Sequence, residues 1–181
     1  MTAVMNDDAS ENTFFLGSLY KRANVNFVFQ NLSSQKFYEV NYAIFKSGPK
    51  PFSFNFFTMS DNDAIVTPAA PVFSLGYTSS IVGPTFVFSY DALDAVRSQV
   101  NHASPVIFIA RDSSDFMSRR PGVHHTFNMC DLIVFPNNYI KNIFVMKHGD
   151  IVGKSIIALP QSAEDYIGII KYGKEKQESV N

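Results

Sequence analysis

Adjacent histidines at 124 and 125, followed by Cys130 and Asp131, are the residues best suited to metal ligation or to a Cys/His nucleophile pair. Either chemistry needs the side chains on one side of the backbone. In an extended segment neighbouring residues point to opposite faces, so His124 and His125 do not share one ion. Cys130 lies beside apolar residues, where a lone thiol behaves as a small inert hydrophobe. His102-Ala-Ser104 and His124-His-Thr126 both match the loose His-x-Ser/Thr pattern of two-histidine phosphoesterases, but the interval between them is too short for two facing lobes. The polar stretch from Arg111 to Gly122 reads as a solvated loop, with a phosphate- or sugar-contacting loop as its alternative. Asn31-Leu-Ser33 is a glycosylation sequon, meaningful only in a eukaryotic secretory pathway. The expectation is a chain with no catalytic residues, no metal and no cofactor.

Composition narrows the class further. A length of 181 residues suits one domain spanning 1–181. Net charge is −1 with 17% charged residues, so no basic field directs the chain to nucleic acid. The single cysteine excludes an internal disulfide and a cysteine-based structural zinc site. No positive n-region or apolar h-region is visible at the N-terminus, and no stretch has the roughly 20 apolar residues of a spanning helix. These features predict a soluble protein without a visible leader, with secretion or release left open.

The elements that must position any site are written in aromatics. Eighteen Phe and eight Tyr, with no Trp, fall in short runs with a period near two. The runs are Asn24 to Gln30, Phe37 to Phe45, Phe52 to Phe56 and Val72 to Tyr77. Such alternation predicts strands. Asn31-Leu-Ser-Ser34 between the first two runs predicts a hairpin over 24–45, and Ser47-Gly-Pro-Lys-Pro51 breaks its second strand. Asp91 to Asn101 places Leu93, Val96 and Val100 at helical spacing, ahead of an apolar strand at Pro105 to Ala110. Lys147-His-Gly-Asp150 reads as a tight turn joining Asn142–Met146 to Ile151–Leu159. Asp165 to Lys171 suits a strand or a helix, and Gly168 favours the strand. The expected fold is mainly β: an antiparallel β-sandwich flanked by one or two short α-helices. Residues 1–22 are read as an N-terminal segment with an amphipathic element of uncertain type, and 173–181 as a flexible charged tail.

Three blocks carry a resemblance. The segment from Ala23 to Gly48, closing on Phe45-Lys46-Ser47-Gly48, the segment from Pro71 to Asp91, closing on Phe88-Ser89-Tyr90-Asp91, and the tail Gly153 to Lys171 resemble, in that order, the sandwich hairpins of the actinoporins and actinoporin-like cytolysins. The chain departs from that family in lacking tryptophan, a proline after Ser89, a tyrosine-rich helix and an Arg-Gly-Asp loop. The resemblance implies a non-enzymatic protein that binds phospholipid headgroups at a membrane surface, self-associates and forms pores. It implies a headgroup or glycan site at Lys46, Ser47, Gly48, Tyr77, Ser89 and Tyr90. Hydroxyls would donate to a phosphate, Lys46 would neutralise it, and a tyrosine would face a choline cation. Phe14, Phe15, Leu16, Leu19 and Tyr20 would form the inserting face. A lectin-like glycan-binding module and a self-assembling structural sandwich are the two alternatives.

Overall fold

The computed structural model describes residues 24–47, 53–59, 67, 69–77, 80–100, 104–117, 127, 130–149 and 154–180. Its strands are β1 (Asn24–Phe29), β2 (Ser53–Thr58), β3 (Val72–Ser74), β4 (Thr85–Val87), β5 (Val106–Ile109), β6 (Leu132–Phe135) and β7 (Ser155–Ile157). The α-helices among the described residues are α1 (Gln35–Lys46), α2 (Tyr90–Gln99), α3 (Asn138–His148) and α4 (Ala163–Val180). Two 3-10 turns, Leu75–Tyr77 and Ser113–Asp115, follow β3 and β5.

The strands form one sheet, parallel at every pairing, in the order β3-β2-β1-β4-β5-β6-β7. This overturns the antiparallel sandwich: the architecture is a Rossmann-like α/β sheet. Parallel neighbours need a crossover, so helices must cover both faces. The side chains divide accordingly. Phe27, Phe29, Phe54, Phe56, Phe86, Phe88, Ile107, Ile109, Leu132 and Val134 pack with Phe37, Val40 and Ile44 of α1 and with Tyr166, Ile167 and Ile170 of α4. Val28, Phe57, Val87, Phe108, Ile133 and Phe135 pack on the other face with Leu93 and Val96 of α2 and Phe144 of α3. β5 and β6 are buried along their whole length, as strands covered on both sides must be.

The first error of the alternating pattern lies in Phe37 to Phe45. That run is most of α1, not the return strand of a hairpin, and it leads to a parallel β2. Ser34 caps it, accepting a hydrogen bond from the Phe37 N–H at 3.3 Å. Phe37, Val40 and Ile44 are buried at helical spacing, while Tyr38, Tyr42 and Phe45 are exposed. Aromatics on the solvent side of a helix fill the gaps between its core positions, so a period of 3.6 looks like a period of two. The turn assigned to Lys147–Asp150 fails for a related reason. Residues 138–148 are helical, capped by the Asn137 side chain on the Ile140 N–H (2.9 Å) and ended by Gly149 at φ 90°. Asp165 to Lys171 is helical too, within α4, because Tyr166, Ile167 and Ile170 repeat on the face turned to the sheet. The helix expected over 91–101 and the strand over 105–110 form as α2 and β5.

Gly83 serves the β1–β4 approach. It sits at φ 106°, and a Cβ there would lie 2.6 Å from the Asn24 carbonyl oxygen. No helix among the described residues is long and apolar enough to cross a membrane.

Candidate functional site

Strand order reverses direction between β1 and β4. The chain leaves β1 through Gln30 to Ser34 into α1 on one face, and leaves β4 through Phe88 and Ser89 into α2 on the other. Loops that part in this way open a crevice outside the carboxyl ends of the two strands, where open α/β sheets hold their ligands.

The polar groups at that edge come from three loops. Ser89 is the N-cap residue of α2, yet its side chain makes no capping bond; its Oγ donates across the gap to Gln30 Oε1 at 3.0 Å. Lys36, in the first turn of α1, is ion-paired to Asp115 of the β5 loop, and its Nζ lies 3.5 Å from the Phe88 carbonyl. The Asp115 carboxylate is 1% exposed and is fully used, because Oδ2 also accepts from the backbone N–H groups of Arg111 (2.7 Å) and Asp112 (3.2 Å). Burial pulls the Lys36 ammonium below its ordinary range; the Asp112 carboxylate opposes that and Arg111 adds to it. Lys36 and Asp115 therefore act as a clasp that ties the β5 loop to α1 at this edge of the sheet.

Beside the crevice, on the α1/α4 face, lies a cleft of about 550 Å³. Glu39, Tyr42, Ala43 and Lys46 of α1 form one wall, and Arg111, Leu159, Pro160, Gln161 and Tyr166 form the rest. Arg111 is paired with the Glu39 carboxylate. Burial pushes the Tyr166 phenol well above its ordinary range, so it stays neutral.

The residues expected to form a headgroup or glycan site are placed apart. Ser47 ends α1, donating to the Ala43 carbonyl (2.7 Å) and accepting from the Ala163 N–H (3.1 Å), so its hydroxyl is spent joining α1 to α4. Lys46 lies beside it, 5.7 Å over the Tyr42 ring. Tyr90 is buried on the opposite face of the sheet, against Phe127. Tyr77 ends the turn after β3. Gly48 and the segment bearing Phe14, Phe15, Leu16, Leu19 and Tyr20 lie outside the described residues, as do His102, His124 and His125. Among the described side chains of the set, Ser89 alone reaches the crevice. The residues the sequence did not single out are Gln30, Lys36, Glu39, Tyr42 and Gln161; Arg111 and Asp115 fell inside the stretch read as a solvated loop. The signal for Asp115 was its spacing from Asp112, since the two form a reciprocal capping box around the turn after β5.

Cys130 is buried among the aromatics of the α2/α3 face. Burial raises its thiol to about 12, with Asp131 adding to the rise and Lys154 and Arg97 opposing it. Folding thus favours the protonated thiol. That contribution to stability is whole below pH 9, the ordinary value, and is lost as pH rises from there to about 12. At pH 8 an aromatic disulfide reagent is expected to leave the native chain unlabelled over hours and to label one thiol per chain in denaturant. Fast native labelling would place Cys130 at the surface. Asp131 accepts from the Val106 N–H at 2.8 Å, and no cluster able to hold a metal ion occurs among the described residues.

No protein-family model matches the chain, and no curated protein matches it in sequence.

Proposed function

We propose that the chain is a small-molecule-binding α/β domain that takes a hydroxyl-rich ligand, of the nucleoside or sugar class, in the crevice between the β1–α1 and β4–α2 loops. One observation carries this reading. At the point where strand order reverses, the Ser89 hydroxyl is turned away from its own helix and toward the Gln30 amide across the gap. A hydroxyl and an amide offer donors and acceptors to a ligand hydroxyl pair, and each displaces only the other when it does so. The location rests on fold-level analogy with doubly wound sheets. The ligand class rests on the groups present.

Two features argue against a dinucleotide. The turn Gln30 to Ser34 contains no glycine, so its backbone is not shaped for close approach to a pyrophosphate. Asp91 in the first turn of α2 already places a carboxylate at that helix end. The membrane-binding and glycan-binding expectations drew their site from a sandwich that does not form, and of these the glycan class alone shares chemistry with the crevice.

Titration calorimetry with adenosine, uridine, glucose and galactose tests the proposal on the full chain. At least one is expected to bind, and Ser89→Ala with Gln30→Ala to weaken it about tenfold, from two neutral hydrogen bonds of about 1 kcal/mol or less each. Absence of binding across the panel, or binding that ignores both substitutions, would remove the proposal.

A further inference from the structure

The cleft between α1 and residues 159–161 shares no side chain with the crevice pair Gln30 and Ser89. Its chemistry is different. Its lining includes Arg111, whose side chain is 16% exposed, and Lys46, which makes no ion pair among the described residues. Ala43, Leu159 and Pro160 supply its apolar lining. Glu39 is the only carboxylate among the residues that line it, so two cations face one anion.

The Glu39 carboxylate shows what the Arg111 fork accepts. It is itself 42% exposed and sits at the second turn of α1, and its Oε1 has another partner in Gln35 Nε2 at 3.4 Å, one helical turn back. A partly exposed ion pair of this kind is worth only about 0.2–1 kcal/mol. Release from Arg111 therefore leaves Glu39 a hydrogen bond and leaves Arg111 and Lys46 as the charged lining open to an incoming anion, with the Asp165 carboxylate behind Gln161, on its N–H.

We infer that this cleft is a second ligand site, specific for small organic carboxylates with a flat or apolar body, in which Glu39 holds the place of the ligand's carboxylate on Arg111. The incoming carboxylate takes the guanidinium fork with two parallel hydrogen bonds, as planar carboxylates do. Its apolar body lies on Pro160, Leu159 and Ala43. Lys46, held over the Tyr42 ring, supplies the charge that makes the site prefer an anion to a neutral molecule of the same shape.

Benzoate, benzamide and phenyl phosphate separate the possibilities, with binding to the full chain followed by NMR chemical-shift changes. Benzoate is expected to bind and benzamide to bind at least tenfold more weakly. Glu39→Gln removes the internal competitor and should tighten benzoate a few-fold. Arg111→Gln should weaken it about 10- to 100-fold, as loss of charged hydrogen bonds does. Neither substitution touches the core, and Lys46→Gln, with an expected few-fold loss, gives a third reading at an exposed position. Ser89→Ala should leave benzoate binding as it is, which keeps this result separate from the crevice. Equal binding of benzoate and benzamide, weaker benzoate binding in Glu39→Gln, or binding of phenyl phosphate without benzoate would each overturn the inference.

Discussion

Phe27→Ala is expected to cost about 3–5 kcal/mol, the range for removing a buried aromatic ring. Phe27 is wholly buried in the middle of β1, an interior strand held between β2 and β4. Its ring meets Phe54 at 5.9 Å, Phe56 at 5.6 Å, Phe86 at 5.4 Å and Phe88 at 6.4 Å, and lies edge-on to Tyr166 of α4 at 5.1 Å. Ring pairs in these geometries add about 0.5–1.5 kcal/mol each beyond the area they bury. Their loss would fall on β2, β4 and α4 together. A domain of this size has about 5–15 kcal/mol in hand, so the substitution removes a large share of it. Urea unfolding followed by circular dichroism measures the effect. Phe45→Ala, at a ring 55% exposed on the solvent side of α1, is the control and should change stability by about 0.5 kcal/mol or less. Equal, small effects of the two would contradict the assignment of Phe27 to the core and of Phe37 to Phe45 to a helix.

Asp115→Ala is expected to be almost as damaging, at about 3–5 kcal/mol, because it takes the ion-pair partner from a partly buried ammonium and the acceptor from two backbone donors together. Lys36 loses its partner, and the N–H groups of Arg111 and Asp112 lose their acceptor. Asp115→Asn keeps an oxygen for those two donors and should cost less. Lys36→Met in the Asp115→Asn background removes the stranded charge, and the double variant should recover more than about 1 kcal/mol relative to additivity. The cycle has a second readout at the crevice: loosening the β5 loop should weaken any crevice ligand in Asp115→Ala, since the clasp lies at the same edge of the sheet. An additive cycle would mean that the two side chains do not hold one another, and the clasp would have to be abandoned.

The core was legible in the chain and the pairing was not. Phe27, Phe29, Phe54 and Phe56 were read as strand residues with one face buried; they do lie in strands, β1 and β2, but Val28 and Phe57 are buried on the other face as well. What their period of two leaves open is the direction of the next strand. The four-residue apolar runs Val106 to Ile109 and Leu132 to Phe135 held the missing information, because a strand with no polar side is covered on both faces, and that is the mark of a parallel sheet. The helix at 90–99 was visible because its exposed positions are polar; α1 was not, because Tyr38, Tyr42 and Phe45 face outward. The resemblance drawn from Phe45-Lys46-Ser47-Gly48 and Phe88-Ser89-Tyr90-Asp91 matched residue types in order, but Phe45 to Ser47 end one helix and Ser89 to Asp91 begin another.

By itself, the amino-acid order determined which segments are apolar enough to be core, that no disulfide holds them, and where α2 and β5 run. These are local matters, set by the spacing of side chains along a few turns or a few residues. Tertiary structure decided that all the strands are parallel, that α1 is a helix, and that Gln30 meets Ser89 and Glu39 meets Arg111 across separations of 59 and 72 residues. Those contacts exist only once crossover helices pack on both faces of the sheet and bring the loops to one edge. The burial that pays for this is shared between segments far apart in the chain, so no local window records it.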